Sequence, residues 1–376
     1  MNLRKRVIES AVELGFNLVG IAPAVPSPQL NAYLAWISAG MHGTLAYMAR
    51  DDRVKRRRDL NTILPGARSL VVVGLDYAVS APPADVLNDP TRGRISNYAW
   101  GADYHTVMLP RLLTLCEMIA RESARAATCR VYVDTGAILE RSHAATAGIG
   151  FVGKNTMLIS PRRGSYLFLG EIITDAEIEP DSSTAMPGCG RCTRCLEACP
   201  TAAFPAPYVL DARLCISYLT IELRDSIPHD LRPKMRNWVY GCDICQAVCP
   251  WQRFSQPAGK DSPFHPIRIE RAAPSLDWLL RLGEREFEDV YRGSPIERIT
   301  RERFIRNACV AAGNSGAPSL SRALIPLLSD PSAMIRGHAA WALGRLRQGK
   351  DALRAALSRE TDPATKQEID LALKDG

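Results

Sequence analysis

The sequence predicts an α+β chain in three consecutive parts: an α/β region over residues 1–180, a metal-binding block over 181–262 and a helical-repeat region over 263–376. Three observations carry this. Short β-branched apolar runs alternate with helical patterns through the first 180 residues. Eight of the eleven cysteines crowd between positions 189 and 249, and a small-residue motif recurs about 31 residues apart near the C-terminus. With 46% hydrophobic and 23% charged residues, the composition excludes a disordered or fibrous chain.

The first part reads as strands at Asn17–Ile21, Ser69–Leu75, Arg130–Val133, Met157–Ile159 and Tyr166–Ile173. Helical patterns lie between them at Leu3–Leu14, Gln29–Met48, Val107–Arg125 and Ile138–Ala147. A central sheet with helices on both faces follows, although the strand order is not legible. The strand through Val133 ends on Asp134. Such a carboxylate either caps the helix that follows or faces a ligand at the end of the sheet. Gly148-x-Gly150-x-x-Gly153-Lys154 matches the dinucleotide pattern but stands between a helix and a strand, the reverse of what phosphate binding needs, so it is rejected. The basic run Arg53–Arg58 is a solvated loop by default, with phosphate binding as the alternative, and His105 beside Asp103 reads as a structural histidine.

The stretch 181–190 has linker composition. Cys189, Cys192, Cys195 and Cys199 then follow as C-x2-C-x2-C-x3-C, before Pro200. Such gaps let three thiolates cap one iron–sulfur cubane while the fourth cysteine serves a neighbouring cluster. A tetrahedral zinc site, the alternative, normally takes two distant knuckles. The second block supplies Cys242, Cys245 and Cys249 before Pro250. In a ferredoxin-like two-cluster scheme Cys189, Cys192, Cys195 and Cys249 hold one [4Fe–4S] cluster. Cys199, Cys215, Cys242 and Cys245 hold the other. Cys116, Cys129 and Cys309 lie in apolar surroundings and read as small buried hydrophobes. Two oxidised cubanes, each about −2, lower the formal charge from +7 to roughly +3. Adjacent clusters form an electron wire, whose acceptor is expected to be an organic or cobalt cofactor in the N-terminal part.

In the third part Asn307–Gly313 aligns with His338–Gly344 at an offset of 31, and Asp330-Pro331 with Asp362-Pro363 at 32. Each unit reads as a small-residue helix, a glycine stop, a Leu-rich helix and an Asp-Pro turn, in the manner of a HEAT-like solenoid. Arg336, Arg345, Arg347, Lys350 and Arg354 give it a basic side, which is either a solvated face or a track for phosphates. No run reaches the ~18 apolar residues of a membrane helix. Glu9 and Glu13 interrupt what a signal peptide would keep apolar, so no membrane association and a cytoplasmic location are expected.

These strings together resemble the epoxyqueuosine reductase family. The resemblance rests on V-D-T-G-A-I-L-E-R, A-G-I-G-F-V-G-K-N-T-M-L-I, G-S-Y-L-F-L-G-E-I, C-I-S-Y-L-T-I-E and Y-G-C-D-I-C-Q-A-V-C-P-W, and runs from the first helix to the repeats. Departures are Ala137-Ile138-Leu139, where the family commonly has a proline-containing turn, and Ile244, where it often has a second Asp. The resemblance implies an N-terminal α/β cobalamin-binding domain of the reductive-dehalogenase-like type. It implies reduction of epoxyqueuosine to queuosine at the wobble position of tRNA, with two electrons and two protons entering and one water leaving. Asp134 is then the proton donor to the epoxide oxygen, a role that burial beside the corrin would favour. Cobalamin is expected base-off, without a protein ligand to cobalt; Thr106-Val107-Met108 follow His105 in place of a ligand-histidine motif. Contacts to the cofactor are expected from Arg57, Asn97, Tyr98, His105, Asp134, Lys154, Asn155, Ser217 and Asp243. The implied partners are the anticodon stem-loop of a tRNA carrying epoxyqueuosine and an external low-potential electron donor, with a monomer sufficient. Two other readings differ in what they leave out. A reductive dehalogenase would carry an export signal and have no use for a basic tail, and a ferredoxin-like carrier fused to tRNA-binding repeats would leave the α/β region without a task.

Overall fold

The computed structural model describes residues 2–181 and 186–375, so the linker expected over 181–190 lies partly outside the described residues. The strands are β1 (Leu18–Pro23), β2 (Ser69–Asp76), β3 (Arg94–Ile95), β4 (Cys129–Tyr132), β5 (Phe151–Val152), β6 (Leu158–Ile159), β7 (Leu167–Thr174) and β8 (Trp238–Tyr240). The chain divides into two compact units. One comprises Met1–Val79, Ala102–Arg213 and Ile244–Phe264; the other comprises Ser80–Gly101, Leu214–Asp243 and His265–Gly376.

The first unit is built on a four-stranded sheet in the order β1–β2–β7–β4, with every neighbouring pair antiparallel. All eight residues of β2 are buried, so its sequence shows no alternation: both faces of a central strand are covered. One face packs against the helix Tyr104–Glu122, whose Met108, Leu112 and Leu115 are fully buried, each stabilising by roughly 1.5–3 kcal/mol. That helix starts three residues before the expected Val107 because Asp103 accepts a hydrogen bond from the His105 N–H and caps it. Val72, Ile173, Ile138, Ala144 and Ala147 fill the other face, which the helix Glu140–Thr146 covers.

The single helix expected over 29–48 is divided into Leu30–Ser38 and Ala46–Ala49, with Gly40 and Gly43 at positive φ turning the chain between them. The basic run is part of a helix, Asp51–Arg58, rather than a loop. Two aspartates occupy its first turn and four basic residues its last, the arrangement the helix dipole favours.

In the second unit β3 and β8 pair in parallel, and the C-terminal third is helical. Helices Arg301–Ser315, Ser321–Leu327, Ala333–Leu346, Lys350–Arg359 and Pro363–Asp375 form the repeats. Thr300 and Ser332, an offset of 32 apart, cap the first helix of each repeat by accepting from the N–H groups of Arg303 and Ile335. The glycines of the repeat are not helix stops. Gly313 and Gly344 lie inside their helices at the points of closest approach, where a Cβ would come within 2.6 Å of the Trp341 ring and 2.8 Å of the Ala372 Cα. The helices end later, at Gly316 and Arg347, both left-handed.

Candidate active site and cluster ligands

Cys189, Cys192, Cys195 and Cys249, the four cysteines expected to share a cluster, line one cavity of about 300 Å³ in the first unit. Asn155, Ile159, Trp251 and Arg253 also line it. Burial pushes up the Cys195 and Cys249 thiols, and Cys189 adds to both shifts, as crowded sulfurs without a counter-charge require. Lys154 braces the loop. Its ammonium donates to the carbonyls of Gly190 (2.8 Å) and Cys192 (3.0 Å), and its backbone N–H points at the Cys189 Sγ at 3.4 Å. Asn155 donates to the Cys245 carbonyl at 3.3 Å, so both residues serve the cysteine loops. The Cys199 Sγ accepts from the Ala203 N–H at 3.4 Å.

Cys215 and Cys242 belong to the second unit, where their segments are fastened together. Cys215 opens the helix Ile216–Ile221, which also carries Ser217. Within that helix the Thr220 hydroxyl donates to the Ile216 carbonyl and accepts from the Gly241 N–H at 3.0 Å. Asn307, fully buried, donates to the Thr220 and Val239 carbonyls at 2.9 Å each. Of the remaining cysteines, Cys309 is buried within the first repeat helix. Cys116 and Cys129 are half-buried neighbours, and a hydrogen bond between the thiols pushes Cys129 down to about 7.

Asp134 follows β4 in the left-handed region (φ 59°) and is exposed. It does not cap the helix Glu140–Thr146, which has no side-chain cap. Instead its carboxylate accepts from the Tyr104 hydroxyl at 2.8 Å, and its own N–H donates to Glu140 Oε1 at 2.8 Å. Arg53 holds the loop through the Thr135 carbonyl at 2.9 Å. Tyr104 stacks between His105 and Phe168, with ring centroids 4.1 and 4.3 Å away, while the Asp103 carboxylate accepts from His105 Nδ1 at 2.7 Å. Arg57 is buried over the Tyr33 ring, and its Nε has no partner among the described residues.

Three groups around Asp134 were not singled out from the sequence. Burial, then the Asp134 charge, push half-buried Glu140 up to about 8. Arg141 reaches solvent but donates to the Thr156 carbonyl at 2.6 Å, and Glu140, Asp134 and Cys245 all act on it electrostatically. Glu171, on β7 opposite Tyr132, is fully buried with neither carboxyl oxygen partnered among the described residues, and burial holds it well above the usual carboxylate range. Its signal in the sequence was a lone acid in the otherwise apolar strand L-F-L-G-E-I-I-T. Glu140 and Arg141 close the same V-D-T-G-A-I-L-E-R string that contains Asp134.

The other expected cofactor contacts lie in the second unit. Buried Asp243 accepts from the Ser96 hydroxyl and from the Asn97 N–H at 2.7 Å, and burial pushes its carboxyl up to about 6. Tyr98 packs on Tyr240 at 6.0 Å between ring centroids. On the repeats, Arg336 is spent inside the fold in a two-pronged pair with Glu360 (2.6 and 2.7 Å). Arg345, Arg347, Lys350 and Arg354 are exposed.

Three family models match the chain: "Epoxyqueuosine reductase QueG, DUF1730" over residues 57–135, "4Fe-4S double cluster binding domain" over 188–252 and "HEAT repeats" over 300–374. The epoxyqueuosine reductase of Pseudomonas aeruginosa is 42% identical over 340 residues, covering 89% of this chain and 91% of that one. That of Escherichia coli is 37% identical over 346 residues, covering 91% and 89%. Among solved structures, an epoxyqueuosine reductase with a tRNA-Tyr epoxyqueuosine-modified stem loop superimposes with a TM-score of 0.90 at 32% identity, covering 99% and 98% of the two chains. The Bacillus subtilis enzyme, in a form whose aspartate-bearing catalytic loop is swung out of the active site, gives 0.87 at 33% identity with the same coverage.

Proposed function

Because this chain belongs to the epoxyqueuosine reductase family, we propose that it reduces epoxyqueuosine to queuosine at the wobble position of tRNA, with cobalamin and two [4Fe–4S] clusters as the electron path and Asp134 as the acid. One observation carries this reading: four cysteines with cluster spacing line one cavity in the same unit that holds the Asp134 carboxyl on the Tyr104 hydroxyl.

The residues fit both kinds of cofactor. Four thiols around about 300 Å³ suit a cubane. Lys154 and the N–H groups aimed at Cys189 and Cys199 would offset the charge of cluster-bound thiolates. For the corrin, the observation is the buried Arg57 Nε without an acceptor, close enough to Glu140 to act on it. A cofactor rimmed with amide groups and carrying a phosphate supplies such acceptors. Arg57, His105 and Asp134 of the first unit would hold it. Cobalamin, when bound, would supply cobalt redox chemistry for the reduction.

The chain's own part is orientation and protons. Tyr104 fixes the Asp134 carboxyl, Arg53 and Glu140 fix its loop, and Asp134 protonates the departing epoxide oxygen. The reactive base must be splayed from the anticodon loop to reach it. Exposed Arg345, Arg347, Lys350 and Arg354 would track tRNA phosphates. Arg191, Arg194 and Arg253, exposed beside the cavity cysteines, suit an acidic low-potential electron donor. Every residue used is on one chain, so a monomer suffices. No helix among the described residues is long and apolar enough to cross a membrane.

The test is anaerobic. Protein reconstituted with iron, sulfide and cobalamin is examined by visible and EPR spectroscopy, then given dithionite and epoxyqueuosine-containing tRNA, whose nucleosides are read by mass spectrometry. Queuosine formed by the wild-type protein and lost in Asp134→Asn, with unchanged spectra, supports the proposal. Iron without cobalamin binding, or turnover surviving in Asp134→Asn, refutes it.

A further inference from the structure

Removing an epoxide oxygen as water requires two protons on that oxygen, and one carboxyl carries only one. The balance is explicit. Two carbon–oxygen bonds break, two electrons enter from the external low-potential donor, a double bond forms between the two carbons, and the oxygen leaves with two protons as water. Once Asp134 has given its proton, a second acid must restore it or act beside it.

The carboxyl in contact with the Asp134 loop is Glu140, whose Oε1 accepts the Asp134 N–H at 2.8 Å. Its elements also place it near a second buried acid. Glu171 lies opposite Tyr132 on the face of the sheet that the Glu140–Thr146 helix covers. Both Glu171 oxygens are unpartnered among the described residues, and burial favours the neutral form of that carboxyl. The charged and titratable groups acting on Glu140 are Asp134, Arg141, Arg57 and Glu171; the two arginines favour its charged form, while burial and Asp134 oppose it and win. Resting on the reading above, we infer that Glu140 is the chain's second proton source, reloading Asp134 within each turnover. Held up to about 8, Glu140 still carries its proton at neutral pH, and Glu171 marks how dry its surroundings are.

Glu140→Gln is the test, because the amide oxygen still accepts the Asp134 N–H. In holoenzyme with dithionite and epoxyqueuosine stem-loop, kcat should fall about 10²-fold with KM unchanged. Cobalamin spectra, iron content and melting temperature should match wild type. The wild-type rate should decline as pH rises past about 8, where Glu140 loses its proton, and this limb should vanish in the variant. A kcat within twofold of wild type, a retained alkaline limb, or a loss confined to KM or cofactor retention would overturn the inference. If Asp134→Asn is dead while Glu140→Gln is fully active, only the second proton source is wrong. If wild type forms no queuosine, the function itself is wrong and the inference goes with it.

Discussion

Replacing Asn307 by leucine tests whether the first repeat helix holds the segments that carry Cys215 and Cys242. The side chain is fully buried and makes four hydrogen bonds. Nδ2 donates to the Thr220 and Val239 carbonyls at 2.9 Å each, and Oδ1 accepts from Arg306 Nε and Nη2 at 3.1 and 3.0 Å. Leucine keeps the volume and removes all four. Two buried carbonyls are orphaned at roughly 1–3 kcal/mol each, and Arg306 keeps its bonds to the Leu219, Leu223 and Asp225 carbonyls, so the net loss is about 3–5 kcal/mol. For a unit of this size that lowers the melting temperature by roughly 10 °C. Thr220 follows Cys215 on one helix and Val239 precedes Cys242, so the spacing of these two cysteines should loosen as well. Iron measured after anaerobic reconstitution should drop from about eight per chain towards about four, the share of one cubane. A variant that melts within about 2 °C of wild type and keeps all its iron would refute the reasoning.

Lys154→Met removes a cation from the first cysteine loop and should lower the potential of that cluster by on the order of tens of millivolts, read by EPR-monitored redox titration; an unchanged potential counts against the role. Gly20→Ala would put a Cβ 2.2 Å from the Ala147 carbonyl oxygen, with backbone on both sides, and should cost about 2–3 kcal/mol in thermal or denaturant unfolding. Glu360 is held at about 2 by Arg336, so its stabilising contribution is complete above the ordinary carboxylate range and lost as pH falls through about 2. Glu360→Gln should therefore remove about 2 kcal/mol of acid-sensitive stability, and an unaltered acid limb would contradict this. Each of Arg345, Arg347, Lys350 and Arg354 changed to Gln should reduce the salt dependence of stem-loop binding by about one unit of slope, whereas four unchanged slopes would place the tRNA elsewhere.

The iron–sulfur block of this protein was legible in its sequence because the spacing of its cysteines is local. Cys189, Cys192 and Cys195 are brought to one cavity by a few residues of backbone, and only Cys249 has to arrive from farther along the chain. Helix caps such as Asp103, Thr300 and Ser332 are local too, and the last two keep the offset of 32 that the Asp-Pro turns show in the sequence. The same offset misled where its glycines were concerned. Gly313 and Gly344 look like stops in one dimension and are sites of helix–helix contact in three.

What the tertiary structure alone decided is the environment of Asp134. The sequence places an acid after a strand and leaves two roles open. Which role holds depends on Tyr104 arriving from another helix and on Glu140 turning back to the Asp134 N–H. Glu171 reaches this neighbourhood through a β4–β7 register spanning some forty residues of chain. Burial and charge, the terms that set a carboxyl's proton affinity, are summed over whatever the fold brings near, and no window of sequence contains that sum.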